Sequence, residues 1–181
     1  MIDISRSLTI SGWMSEGELT YLATLASRIP EGGSICEVGS YKGRSTVAMA
    51  ANTDATVWCV DTWDQTAGGT GPIDEGGWCF DQWSENTKEF WKVVPINRCS
   101  LYAARECERD RRGFDLIFID ADHNVASVKA DIAAWRPLLK PGGILCGHDY
   151  TSIWPGVIEA VDALVPKFRV VDTIWTTEGC E

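Results

Sequence analysis

The chain has 181 residues, 45% hydrophobic and 23% charged, which is enough for one core, too short for two ordinary domains and too apolar for disorder. Its net charge of −10, from 26 acidic against 16 basic residues, repels a phosphate backbone over most of the surface and argues against nucleic acid as a partner. No apolar run approaches the roughly 20 residues that cross a bilayer, and the opening MIDISRSLTISGW has no basic segment followed by an apolar one, so the sequence predicts no membrane partner, no secretory signal and a cytoplasmic location.

The first predicted element is a helix over SEGELTYLATLASRI. Ser15 and Glu18 form a capping box, Leu19, Leu22, Ala23, Ala26 and Ile29 share one face, and Pro30 with Gly32 and Gly33 ends it. Strands follow at 34–39, 56–61, 93–99, 114–120 and 142–149, nearly continuous in apolar residues, as strands covered on both faces must be. Helices alternate with them near 45–52, 101–111, 125–139 and 155–165, the last opening on Pro155. The tail KFRVVDTIWTTEG reads as a closing strand pair. This alternation predicts one α/β domain over 1–181, a doubly wound, mostly parallel, seven-stranded Rossmann-like sheet with helices on both faces. The seven cysteines include no CxxC pair. Cys36, Cys59 and Cys146 lie in strands, and buried free thiols explain them better than disulfides or zinc.

One stretch breaks the alternation. Residues 63–92 carry Trp63, Trp78, Trp83 and Trp91 among glycines and are too long for an ordinary connection. A lid over a ligand is the functional expectation; a surface excursion with its own aromatic cluster is the structural one.

Ligands of such sheets bind beyond the C-terminal ends of the strands. There the sequence places Glu37, Gly39 and Gly43, then Asp61, then Asp120 and Asp122, then His148 and Asp149. Any one polar strand end is unremarkable where a chain leaves the core, but four strands delivering such groups to one edge suggest a site. Trp58 and Trp135 read as core, and Trp154 and Trp175 stay open.

Glu37-x-Gly39-x-x-x-Gly43 resembles the first motif of class I S-adenosylmethionine-dependent methyltransferases, and the resemblance runs from about residue 34 to 165. A dinucleotide loop would read GxGxxG, and Tyr41 stands at its second glycine. The resemblance implies that the turn, with Ser40 and Ser45, cradles the amino-acid part of S-adenosylmethionine, with Glu37 near its charged end. Asp61 would accept the ribose hydroxyls, and Trp63 would cover the adenine or guard the entrance. Ser100 would contact the adenine side, or else serve as a helix N-cap.

The segment FDLIFIDADHNVASVKADIAAWRPLLKPGGILCGHDY, 114–150, is similar to small-molecule O-methyltransferases of the metal-dependent catechol and sugar branch. That resemblance implies a divalent cation, Mg²⁺ or Mn²⁺, held by Asp120, His148 and Asp149, although the family's pair after the fifth strand is commonly Asp-Asp or Asp-Asn. It also implies His123 as the group that takes the substrate proton, with Asp120 and His148 beside it in the catalytic set. A cation would lower the pKa of an acceptor hydroxyl and fix its direction, and an imidazole would receive the proton. His148 also reads as a hydrogen-bonded structural residue, and Asp122 as the N-cap of the following helix.

The implied reaction is O-methylation of a small-molecule acceptor, a sugar or an aromatic metabolite. A nicotinamide-dependent oxidoreductase, which would need the missing glycine loop, and a non-catalytic cofactor-binding module are the alternatives. Members of the family are often homo-oligomers, and the resemblance extends that expectation here without pointing to an interface.

Overall fold

The computed structural model describes residues 1–64 and 79–180. Seven strands form a single sheet: β1 (Ser34–Val38), β2 (Thr56–Asp61), β3 (Val93–Asn97), β4 (Phe114–Ile119), β5 (Leu139–Gly147), β6 (Arg169–Val171) and β7 (Ile174–Thr176). Their order is β3-β2-β1-β4-β5-β7-β6. The first five are parallel, and β7 runs antiparallel to both β5 and β6. The α/β Rossmann-like architecture expected from the alternation is thus the one observed. Pro95 lies on β3, the edge strand, where its missing N–H breaks no interior ladder.

Among the described residues six α-helices cover the two faces: α1 (Glu16–Ser27), α2 (Arg44–Ala50), α3 (Cys79–Thr87), α4 (Ser100–Arg109), α5 (Val125–Trp135) and α6 (Pro155–Leu164). Side chains of successive strand residues point to opposite faces. Ile35, Val57, Cys59, Leu116 and Phe118 therefore pack under α1, α2 and α3 with Leu19, Leu22, Met49 and Trp83. Cys36, Val38, Val60, Ile117 and Leu145 pack on the other side under α4, α5 and α6 with Ala103, Ile132, Trp135 and Val161. Cys36, Cys59, Cys107 and Cys146 are buried free thiols, Cys79 is buried, and Cys99 and Cys180 are free as well.

Several boundaries differ from the sequence reading for local reasons. The helix expected over 125–139 stops at Trp135, because Pro137 has no N–H to give the carbonyl four residues back, and a 3-10 turn, Arg136–Leu138, takes over. Strand β5 then begins at Leu139 rather than 142. The N-cap of α5 is Asn124, which accepts from the Ser127 N–H, while Asp122 accepts the N–H groups of His123 and Asn124 one step earlier.

The stretch 63–92 is in part built into the body. Trp63 and Trp83 are 4% and 3% exposed, and their rings sit 4.9 Å apart beside Phe80. The part of the expected lid at 65–78, Trp78 included, lies outside the described residues. Trp58, expected in the core, is half-buried under the Arg112 guanidinium at 3.7 Å, whereas Trp135 and Trp175 are fully buried. No helix of the described residues is long and apolar enough to cross a membrane.

Candidate functional site

The loop between β1 and α2 is held in shape by its own chain. Gly39 has φ +90°, and a Cβ there would stand 2.0 Å from the Asp120 carbonyl oxygen. The position is glycine because the ends of β1 and β4 meet there. Gly43, at φ +87°, is the N-cap of α2. Asp61, at the end of β2, grips the loop: its Oδ2 accepts the N–H groups of Ser40 and Tyr41, both at 2.8 Å. Its Oδ1 accepts the N–H of Trp63 at 2.7 Å, and the Trp63 indole donates to the Tyr41 carbonyl at 2.9 Å. Asp61 is half-buried, and its Oδ1, which accepts one bond, keeps a lone pair for a ligand hydroxyl.

Other residues assigned to the cofactor by resemblance face inward. Glu37 is 0% exposed, and its oxygens accept the hydroxyls of Ser45, at 2.6 Å, and Thr46. Burial outweighs those bonds and pushes its carboxyl up to about 7. Glu37 and Ser45 thus fasten α2 to β1. Ser100 is the first residue of α4, whose N-cap is Cys99. The Ser100 hydroxyl donates to Asp131 and accepts the Trp135 indole N–H at 2.8 Å, tying α4 to α5. Burial pushes the Asp131 carboxyl up to about 6, against that hydroxyl's pull.

The ends of β4 and β5 meet in a cleft lined by Asp120, Asp122, His123, His148 and Asp149, with Val157 behind. Here two imidazoles and three carboxylates interlock. The His123 Nε2 lies 2.7 Å from Asp149 Oδ2, and the His123 ring stacks on Trp154 at 3.9 Å between centroids. His148 is 8% exposed. Its Nδ1 faces Asp149 Oδ1 at 3.2 Å and Asp120 Oδ1 at 3.7 Å, and its Nε2 faces Glu18 Oε1 and the Thr173 hydroxyl, each at 3.1 Å. Asp149 sits at φ +64°, a left-handed backbone that aspartate tolerates better than most residues.

The electrostatics follow from this geometry. Burial alone would pull His148 down, but its bonds to Asp149 and Glu18, with Asp120 nearby, push it up to about 11. Burial opposes ionisation of Glu18 and Asp149 too. Bonds from His148 and Thr173 nevertheless hold Glu18 down at about 2, and bonds from His123 and His148 hold Asp149 well below the usual range. Asp120 goes the other way, lifted to about 6 by burial and the neighbouring Asp149 against the pull of His148. His123 is raised, chiefly by its bond to Asp149.

Glu18 is the participant that sequence reasoning missed. Its Oε2 accepts the Ser15 N–H of the capping box, as expected, while its Oε1 accepts the Thr173 hydroxyl and faces His148. The capping box explains the residue completely at the level of sequence, so nothing there signals the second partner.

Ligand atoms of Asp120, His123 and Asp149 lie within 4.8 Å of one another, the spacing a divalent ion could bridge, but their bonding does not suit one. A carboxylate only accepts, so an imidazole nitrogen facing one must carry hydrogen and has no lone pair for a metal. That applies to the His123 Nε2 and to both nitrogens of His148. Both Asp149 oxygens already accept from imidazoles. Asp120 and the Nδ1 of His123 remain uncommitted, and one carboxylate with one imidazole nitrogen leaves most of the shell of Mg²⁺ or Mn²⁺ to a bound partner.

The model of a family described as a methyltransferase domain matches residues 36–150. Among solved structures, the chain shares its fold with CalS11, a TDP-rhamnose 3'-O-methyltransferase of calicheamicin biosynthesis, at 18% identity and TM-score 0.63 over 87% of this chain and 76% of that one. The O-methyltransferase from Bacillus cereus in complex with SAH is similar at 16% identity and TM-score 0.70 over 96% and 89%. A precorrin 8w decarboxylase from Methanobacterium thermoautotrophicum is similar at 12% identity and TM-score 0.64 over 93% and 91%. No curated protein matches in sequence. One architecture carrying several chemistries means that the reaction has to be argued from the residues at the cleft.

Proposed function

The chain belongs to the methyltransferase-domain family, residues 36–150 matching its model, and from that premise we propose that it transfers the methyl group of S-adenosylmethionine to a hydroxyl of a small molecule. The observation that carries the reading is the pairing of His123 with Asp149 at 2.7 Å, on the same sheet edge as the glycine loop gripped by Asp61. Asp149 takes the hydrogen of Nε2, which leaves the lone pair of the neutral ring on Nδ1. Stacking on Trp154 fixes the ring's plane.

Methyl transfer is an in-line displacement, and most of the rate comes from holding the attacking oxygen on the line of the breaking bond. As the oxygen–carbon bond forms and the sulfur–carbon bond breaks, the hydroxyl proton passes to His123 Nδ1. Asp149 stabilises the imidazolium produced, and S-adenosylhomocysteine leaves. The small-molecule acceptor is supported by the net charge of −10, which disfavours a polyanionic one. That CalS11 and the Bacillus cereus enzyme are O-methyltransferases supports the same acceptor chemistry.

Two measurements test this. Thermal unfolding with millimolar S-adenosylhomocysteine should shift upward, and with NAD it should not; no shift with the former would remove the cofactor from the reading. With an acceptor found by screening hydroxylated compounds, His123→Ala should lower kcat by about 10²–10⁴ while leaving S-adenosylhomocysteine affinity intact. Undiminished kcat would take the base role from His123.

A further inference from the structure

Beyond the methyl-transfer reading, and resting on it for its purpose, the arrangement of His148 carries a second conclusion. The ring lies between carboxylates on both sides, Glu18 at Nε2 and Asp149 at Nδ1, with Asp120 on the Nδ1 side as well. Acceptor-only partners at both nitrogens require both to bear hydrogen, so the ring is an imidazolium. It is 8% exposed, so water does little to screen it. The contacts also form a line: Glu18 to His148, His148 to Asp149 Oδ1, and Asp149 Oδ2 to His123. The ring that performs the chemistry stands at one end and a residue of the first helix at the other.

We infer that the His148 imidazolium, clamped between Glu18 and Asp149, is the resident cation of this site, so that the protein binds no divalent metal there and aims Asp149 at His123 by a fixed internal charge. Three carboxylates converging on one cleft need a compensating positive charge. A bound cation would provide it and would exchange with solvent; a side chain provides it permanently. His148 reaches the base only through Asp149, so it is a positioning residue. By accepting His148's hydrogen on Oδ1, Asp149 is held with Oδ2 toward His123. Glu18 and Thr173 hold the far side of the ring, the Thr173 hydroxyl accepting from Nε2 and donating to Glu18. The inference also accounts for the change from the expected acid pair to His-Asp: replacing a carboxylate by histidine removes one negative charge and adds one positive charge at the same spot.

The test uses Mn²⁺ alone, with the apo protein. Water proton relaxation and thermal unfolding in about 1 mM MnCl₂ should show no site-bound ion in the native protein. The His148→Asp variant, which exchanges the imidazolium for a carboxylate, should gain Mn²⁺ affinity by at least about tenfold. Equal affinity in the two proteins, or a native protein that binds Mn²⁺ below about 1 mM, overturns the inference. Nitrogen-15 spectra of the native protein give a result that does not depend on the variant folding. With only two histidines in the chain, assignment is direct, and at pH 8 the His148 ring should show two N–H protons; one proton overturns the inference. S-adenosylhomocysteine binding by calorimetry on the same samples judges the methyl-transfer reading separately, since neither the ring protons nor Mn²⁺ affinity depends on it.

Discussion

Raising the pH is the cleanest perturbation of the buried cation. In the folded protein His148 is pushed up from 6.5 to about 11. A group with a raised folded pKa contributes stability that is complete below its unfolded value and is lost as pH climbs toward the folded value. Above pH 7.5 the unfolded chain has released this proton and the native state still holds it, so stability falls by about 1.4 kcal/mol per pH unit. From pH 7.5 to 9.0 that amounts to about 2 kcal/mol, or roughly 4–8 °C in Tm for a chain of this length. The buried carboxyls contribute little in this window. Asp120 and Asp131, at about 6, have finished titrating, and Glu37, at about 7, has nearly done so. The buried thiols of Cys36, Cys59, Cys107 and Cys146, raised by burial, stay protonated in the native state while those of the unfolded chain ionise above about pH 8, so they steepen the same fall in the upper part of the window. Calorimetric unfolding in buffers of matched ionic strength should therefore show the fall in the native protein already between about pH 7.5 and 8, below the thiols' range, and a slope shallower by about 1.4 kcal/mol per pH unit in His148→Asn. A native Tm that stays level across the window would refute the clamped imidazolium, whatever the fate of the variant.

Other positions make separate predictions. Glu18→Gln keeps an oxygen for Thr173 but loses the charge opposite His148, which should cost about 2 kcal/mol near neutrality. Because the folded pKa of Glu18 is lowered from 4.5 to about 2, the difference from the native protein should persist above pH 4.5 and close as pH falls toward 2; a constant difference throughout acid unfolding would contradict it. Gly39→Ala drives a Cβ to 2.0 Å from the Asp120 carbonyl oxygen and should cost at least about 3 kcal/mol in urea unfolding, with a near-neutral result disproving the close approach of β1 and β4. Asp61→Asn places an amide group against the N–H groups of Ser40, Tyr41 or Trp63. Calorimetry should then find S-adenosylhomocysteine bound at least about tenfold more weakly, and unchanged affinity would mean the loop needs no such grip.

The parts of the fold that the sequence made legible are those whose cause is local. Near-continuous apolar runs such as FDLIFI can only be strands covered on both faces, and β4 occupies that segment. Ser15 and Glu18 announce the start of α1 by a bond across three residues, and the box forms as read. The helix α3 was overlooked among glycines and tryptophans, although Cys79, Trp83 and Thr87, buried at four-residue spacing, carry the periodic signal. At the site, strand-end polarity pointed to the cleft where Asp120, His123, His148 and Asp149 meet. It could not say which polar groups face a ligand and which face each other. Glu37 and Ser45 neutralise one another's hydrogen-bonding needs in the interior, and Ser100 does the same with Asp131 and Trp135. Such pairings join separate elements, and one sequence carries no trace of which buried hydroxyl will find which carboxylate.

The hydroxyl of Thr173, in the turn between β6 and β7, reaches a carboxylate 155 positions earlier in the chain. During translation the residues on the glycine loop and the β4 end emerge and can pair long before that turn leaves the ribosome. A nascent chain can thus build its sheet while the ring of His148 still lacks the threonine that orients it. The orientation of that ring is then set only after the hairpin has emerged and docked, joining segments far apart in the chain across the same few ångströms.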